Sequence, residues 1–266
     1  MSNSIRKWVF VLLVPLVVVG IIGSVGSAGH GVALQSANVN LSDKDSLQRG
    51  AKYYMNYCMG CHSLKFSRYN RVAKDIGMGD SNGMSEDDVV AMLKENLIFS
   101  RDEKGKKVKV GSLMETAYSA KAAEKAFGTT VPDLSLVARS RGSDWIYSYL
   151  KGFYLDDSRP MGVNNTVFKD VGMPHVLADL QGYQTLEHHE DKDGHHVAPT
   201  LTMSKPGKLS ANEYDVVVHD LTNFLTYVGE PAQLSRTMYG ILTLLFLLVL
   251  FGFAYALSKE YWKDVH

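Results

Sequence analysis

The densest chemistry in the chain sits in five consecutive residues, Cys58-Met59-Gly60-Cys61-His62, which contain both of its cysteines. Two thiols three residues apart, followed at once by an imidazole, suit covalent haem attachment. The thiols add to the haem vinyl groups, and the next residue presents a nitrogen to the iron. Short spacing ties macrocycle and axial ligand to one turn of chain. A zinc site would need two further good ligands, and there is no second cysteine pair. A thioredoxin-like redox pair leaves the adjacent histidine unexplained, and no buried strand precedes the motif. A disulfide is the bland reading of two cysteines in an exported chain, but this spacing suits haem better.

His62 would fill one face of the iron, and the nature of the other ligand decides the function. A Met/His pair makes a high-potential electron carrier, whereas an open position suits ligand binding or oxidative catalysis. The chain has eleven methionines. Met55 and Met59 flank the attachment motif on its own side, Met92 reads as core, and Met1 and Met238 belong to the ends. The ligand should come from a later loop that wraps the far haem face, for which Met161, Met173 and Met203 are the candidates. Met173 stands between Gly172 and Pro174 in an apolar setting. Proline fixes the local backbone and removes a competing donor. His175 is the rival.

Several elements must position these groups. Ser42 followed by Asp45 predicts a helix start, and Leu47, Ala51, Tyr54 and Met55 recur at helical spacing up to the motif. Gly50 inside that helix costs about 1 kcal/mol against Ala; it marks either close packing against another helix or a tolerated small residue. Ser210-Ala211-Asn212-Glu213 is a capping box, after which Val217, Leu221, Phe224, Leu225 and Val228 form an apolar stripe. That terminal helix should pack on the one before the motif. Further helices are expected from Glu86, capped by Ser85, and over Ser143 to Leu150. Residues 101 to 111 alternate charge and valine around Gly105, as an exposed hairpin would.

The chain resembles the cytochrome c1 family. The resemblance rests on Leu47-Gln48-Arg49-Gly50 leading to Cys58-Met59-Gly60-Cys61-His62-Ser63-Leu64, Val131-Pro132-Asp133-Leu134-Ser135, Ala138-Arg139-Ser140-Arg141-Gly142 with Asp144-Trp145-Ile146, Gly172-Met173-Pro174, Glu230-Pro231, and an apolar C-terminal segment. It implies a mostly α fold: a cytochrome c-like haem domain with long loop insertions plus one C-terminal transmembrane helix. It implies one covalently attached haem c held by Cys58 and Cys61, with His62 and Met173 on the iron. It makes Arg141, or its neighbour Arg139, the partner of a haem propionate, and packs Pro132 near the haem. A guanidinium there is chemically apt, since it can bind a carboxylate bidentately. The chain departs from the family in carrying Trp145 where a tyrosine is common, after a shorter glycine-rich turn. The implied partners are cytochrome b, an iron–sulfur protein as donor and a soluble cytochrome c as acceptor. A tethered cytochrome c serving a terminal oxidase would share haem, ligands and anchor.

Both ends read as membrane segments. Arg6 and Lys7 precede an apolar run from Trp8 to Ile22 and the small residues Gly23 to Ala28, the order of a secretory signal peptide over residues 1–28 or of an uncleaved anchor. Thr237 to Ser258 carries no charge; as a helix it covers about 33 Å, enough for a hydrocarbon core of about 30 Å. Lys259 and Lys263 follow the span and should stay cytoplasmic with the tail 259–266. Residues 29–236 then form a periplasmic domain on a bacterial cytoplasmic (inner) membrane, with the lipid bilayer itself as a partner.

Composition limits the alternatives. The 266 residues carry 28 Lys plus Arg against 28 Asp plus Glu. With no basic excess there is no general case for nucleic-acid binding. At 45% hydrophobic and 21% charged residues, the chain is neither disordered nor collagen-like. The balance is uneven: residues 29–130 hold 15 cations and 12 anions, residues 131–236 hold 9 and 14. The acidic later half could steer a basic cytochrome. The run from His188 to His196, rich in His, Asp and Glu, reads as a solvated loop rather than a metal site. Asn164-Asn165-Thr166 matches a glycosylation sequon and is read as unmodified.

Overall fold

A computed structural model describes residues 33–78, 83–98, 100–101, 105–116, 120–190 and 196–264. The expected signal segment lies outside them. Helix α1 (Lys44–Tyr53) runs into a single π turn, Tyr54–Cys58. There follow β1 (Leu64–Arg68), α2 (Tyr69–Asp75), α3 (Glu86–Asn96), β2 (Leu113–Met114), α4 (Ala120–Phe127), α5 (Val137–Arg141) and α6 (Ser143–Lys151). The rest is β3 (Phe153–Leu155), β4 (Val163–Asn165), α7 (Ala178–Gln181), β5 (Gly182–Glu190), β6 (His196–Pro206), α8 (Ala211–Gly229) and α9 (Gln233–Tyr261).

The core forms where α1 crosses α8. Leu47, Ala51 and Tyr54 on one side and Val218, Leu221, Phe224 and Leu225 on the other are buried in a single cluster with Cys58 and Met59. The rings of Tyr54 and Phe224 lie 5.7 Å apart. Gly50 makes the crossing possible: a Cβ there would stand 2.1 Å from the Asp220 carbonyl oxygen. Asp220, only 1% exposed, is held by Arg49 through Nε at 2.6 Å and Nη2 at 3.0 Å, and by the Ser46 hydroxyl at 2.7 Å. A buried carboxylate is stable only when paired and hydrogen-bonded in this way.

The caps at Ser85 and Ser210 are both capping boxes, closed by Asp88 and Glu213. At α1 the cap is Asp43, whose carboxylate accepts from the Ser46 amide, one residue later than the expected Ser42. Around Gly105 the described residues form one antiparallel bridge, Arg101 to Lys107.

The described ends of the run expected as a solvated loop, 188–190 and 196, lie in paired strands. β5 and β6 pair antiparallel from Gly182↔Pro206 out to Glu190↔His196; residues 191–195 lie outside the described ones. Among the described residues no group of three or more His, Cys, Asp or Glu side chains is placed to hold a metal ion. The sequon asparagine, Asn164, is 3% exposed. Its amide donates to Asp156 and its carbonyl accepts from the Asn165 and Asp170 amides, so it is fully engaged within the fold.

α9 has 29 residues, mean hydropathy 2.5 over its most apolar window and none buried. It is long and apolar enough to cross a membrane. Only Glu230 to Ala232 separate it from α8.

Candidate functional site

The attachment motif leaves the π turn in a tight descent. The His62 amide donates to the Cys58 carbonyl at 2.8 Å and the Cys61 amide to the same oxygen at 3.1 Å. The Tyr54 hydroxyl, one turn earlier, donates to the His62 carbonyl at 2.7 Å. Both cysteines are free thiols. Burial, with Cys61 beside it, pushes the Cys58 thiol up to about 12, opposite to the lowered value of a redox-active thiol.

The segment 131–135 is laced to the residues after the motif. The Leu134 amide donates to the Ser63 carbonyl at 3.0 Å, and the Lys65 amide to the Asp133 carboxylate at 2.9 Å. The Phe66 amide donates to the Ser135 hydroxyl at 3.2 Å. This lacing brings the Pro132 carbonyl to 2.7 Å from His62 Nδ1. A carbonyl can only accept, so Nδ1 carries the proton and Nε2 keeps its lone pair. Such an outer hydrogen bond fixes tautomer and ring orientation in metal-ligating histidines. Burial holds His62 below its ordinary value, against the opposing pull of the Pro132 carbonyl and Asp133. The imidazole is therefore neutral, as a ligand must be.

Met173 lies in a second apolar cluster built on Phe153, Val163 and Val171. Its sulfur accepts a hydrogen bond from the Tyr149 hydroxyl at 3.4 Å. Tyr149 packs against the main core as well, which ties the Met173 loop to the core holding Cys58. Burial raises the Tyr149 phenol above its ordinary value, so it remains a donor. The rival His175 stacks on Phe153 at 4.8 Å and 6°, and burial lowers it to about 4. Met203 sits exposed on β6 opposite Gln184, and Met161 packs beside Met173.

The two arginines face different neighbours, and both are exposed. The stem of Arg139 backs onto the end of α8: a Cβ at Gly229 would meet its Cγ at 3.4 Å. Arg141 lies over the Trp145 ring, 5.3 Å from the centroid. Trp145 stacks on Tyr149 at 4.9 Å and 10°. Arg141, Trp145 and Tyr149 thus form a column ending at the Met173 sulfur. The sequence reading missed the roles of Tyr149 and Asn165; Trp145 and Tyr149, four apart on α6, share one helical face.

The residues fit the haem that the motif implies. Two unpaired thiols stand beside an imidazole whose free nitrogen is fixed by its other hydrogen bond. That chemistry, on a helical core followed by an apolar terminal helix, defines a c-type cytochrome of the electron-transfer kind. Residues 35–265 match the Cytochrome C1 family, and the chain belongs to it. It is 52% identical over 241 residues to cytochrome c1 of Allochromatium vinosum, covering 90% of this chain and 92% of that one. It is 45% identical over 239 residues to a Nitrosomonas europaea protein named ammonia monooxygenase gamma subunit, covering 90% and 92%. It is 27% identical over 245 residues to cytochrome c1 of Rhodospirillum rubrum, covering 84% and 83%. The chain carries one covalently attached haem c and acts as the haem-bearing electron-transfer subunit of a cytochrome b–c1 complex. Anchoring in a membrane is consistent with α9.

Proposed function

We propose that the chain passes single electrons from an iron–sulfur protein to a soluble cytochrome c, with cytochrome b as a further partner in the same complex. Cys58 and Cys61 would hold the haem, His62 and Met173 would ligate the iron, and Arg141 would bind a propionate, with Arg139 at its side. Pro132 acts through its carbonyl. The bound haem supplies a one-electron ferrous/ferric couple. The observation that carries this reading is the His62 Nδ1 hydrogen bond to Pro132 at 2.7 Å, which leaves Nε2 free for iron beside two free thiols. Met ligation and burial raise the potential, as a carrier between quinol and a soluble cytochrome needs.

Lys259 and Lys263 at the end of α9, with Arg6 and Lys7 at the other terminus, favour a cytoplasmic tail 259–266. Residues 29–236 would face the periplasm after loss of a signal peptide 1–28, with 237–258 as the span. The three-residue break between α8 and α9 would hold the haem domain close to the bilayer.

Purification from membranes in mild detergent, with haem staining of the gel, tests the assignment. The expected result is one haem-staining band of this chain together with cytochrome b and an iron–sulfur protein. Recovery with oxidase or monooxygenase subunits instead would overturn it.

A further inference from the structure

Tyr149 fastens the Met173 loop to α6 at both of its ends. Its hydroxyl donates to the Met173 sulfur at 3.4 Å. Its carbonyl accepts from the Asn165 amide group at 2.7 Å, and the Asn165 carbonyl oxygen takes the Val167 and Phe168 amides. The ring between these ends is also fixed: Trp145 stacks on it, and Phe153 meets it edge-on at 5.2 Å and 71°. A hydroxyl on so constrained a ring occupies one place. A thioether sulfur accepts weakly, but it has two lone pairs, and one hydrogen bond leaves the other free for a metal.

We propose that Tyr149 is a positioning residue for the sixth iron ligand: its hydroxyl holds one lone pair of the Met173 sulfur, leaves the other to the iron and raises the reduction potential. The inference rests on Met173 as that ligand. Oxidation adds positive charge to the iron–sulfur pair. The hydroxyl proton, the positive end of its dipole, points at the sulfur and opposes that charge. Away from bulk water the opposition is stronger. The ferric state is therefore disfavoured.

Tyr149→Phe removes only the oxygen and keeps the stacked ring, so the full-length protein in detergent can carry it. The expected variant retains covalent haem. Its reduction equilibrium against a redox mediator shifts two- to tenfold toward the ferric form, the range of one neutral hydrogen bond. In a Met173→His background, which has no sulfur, the same substitution should leave the equilibrium where it was. This double-variant cycle isolates the coupling between hydroxyl and sulfur. An unchanged equilibrium in Tyr149→Phe, or an equal shift in both backgrounds, would overturn the proposal. Met173→Ala separates the two levels of the argument. Survival of the far-red Met–iron band in that variant sinks the ligand assignment and this inference with it. Loss of the band there, beside an unmoved Tyr149→Phe equilibrium, sinks the inference alone.

Discussion

The two sides of the proposed haem site are built by different means. The His62 side rests mainly on backbone groups: a π turn, two amides on the Cys58 carbonyl, and the segment 131–135 laced on by main-chain amides, with Asp133 and Ser135 as side-chain acceptors, until the Pro132 carbonyl meets the ring. The Met173 side lies more than a hundred residues further along the chain and is made of side chains. Asn164 and Asn165 pin the loop from within, and Tyr149 reaches the sulfur from another helix. A ring held by a main-chain carbonyl tolerates a change of that residue's side chain; a sulfur held by a side-chain scaffold does not. Lesions on the first side should therefore act through haem attachment, and on the second through ligation and loop order.

The largest effect should come from Cys58→Ala with Cys61→Ala. Without thiols no thioether can form, and haem staining after denaturation should vanish; persistent staining would break the attachment assignment. Next comes Asn165→Ala. Asn165 is 1% exposed, and its loss strands two loop amides and takes one of two donors from the Tyr149 carbonyl, which keeps the Gly152 amide. Unsatisfied buried groups of this kind cost about 1–3 kcal/mol each, so thermal unfolding should show a loss of roughly 3 kcal/mol. A loss below about 0.5 kcal/mol, the size typical of an ordinary surface change, would show that the scaffold is not what holds the loop. The smallest effect should come from Pro132→Ala, which keeps the carbonyl that fixes His62. Covalent haem should be retained, and stability should change by less than about 1 kcal/mol. A changed haem spectrum would mean that the ring of Pro132, not its carbonyl, matters.

The same contrast explains what the sequence revealed. The attachment motif is a contiguous signal; the capping boxes at Ser85 and Ser210, the stripe on α8 and the apolar terminal helix are periodic or contiguous signals, and each of these elements is where it was expected. Gly50 was legible as a close approach or a tolerated small residue, and the crossing of α1 and α8 decides for the first. The start of α1 moved from Ser42 to Asp43, since both side chains can cap and the backbone decides. The β5–β6 pairing was hidden by the His-, Asp- and Glu-rich sequence from His188 to His196, although Thr200 to Met203 carries alternating polar and apolar residues. Tyr149 was hidden because its role depends on a residue 24 positions away, and no local pattern encodes such a meeting.

The central claim is that a remote loop, not the attachment segment, completes the iron coordination through Met173. Absorption of the oxidised full-length protein in detergent tests it most directly. The account predicts a far-red Met–iron charge-transfer band in the native chain and its loss in Met173→Ala, with covalent haem retained in both. A band of equal strength in the variant would contradict it.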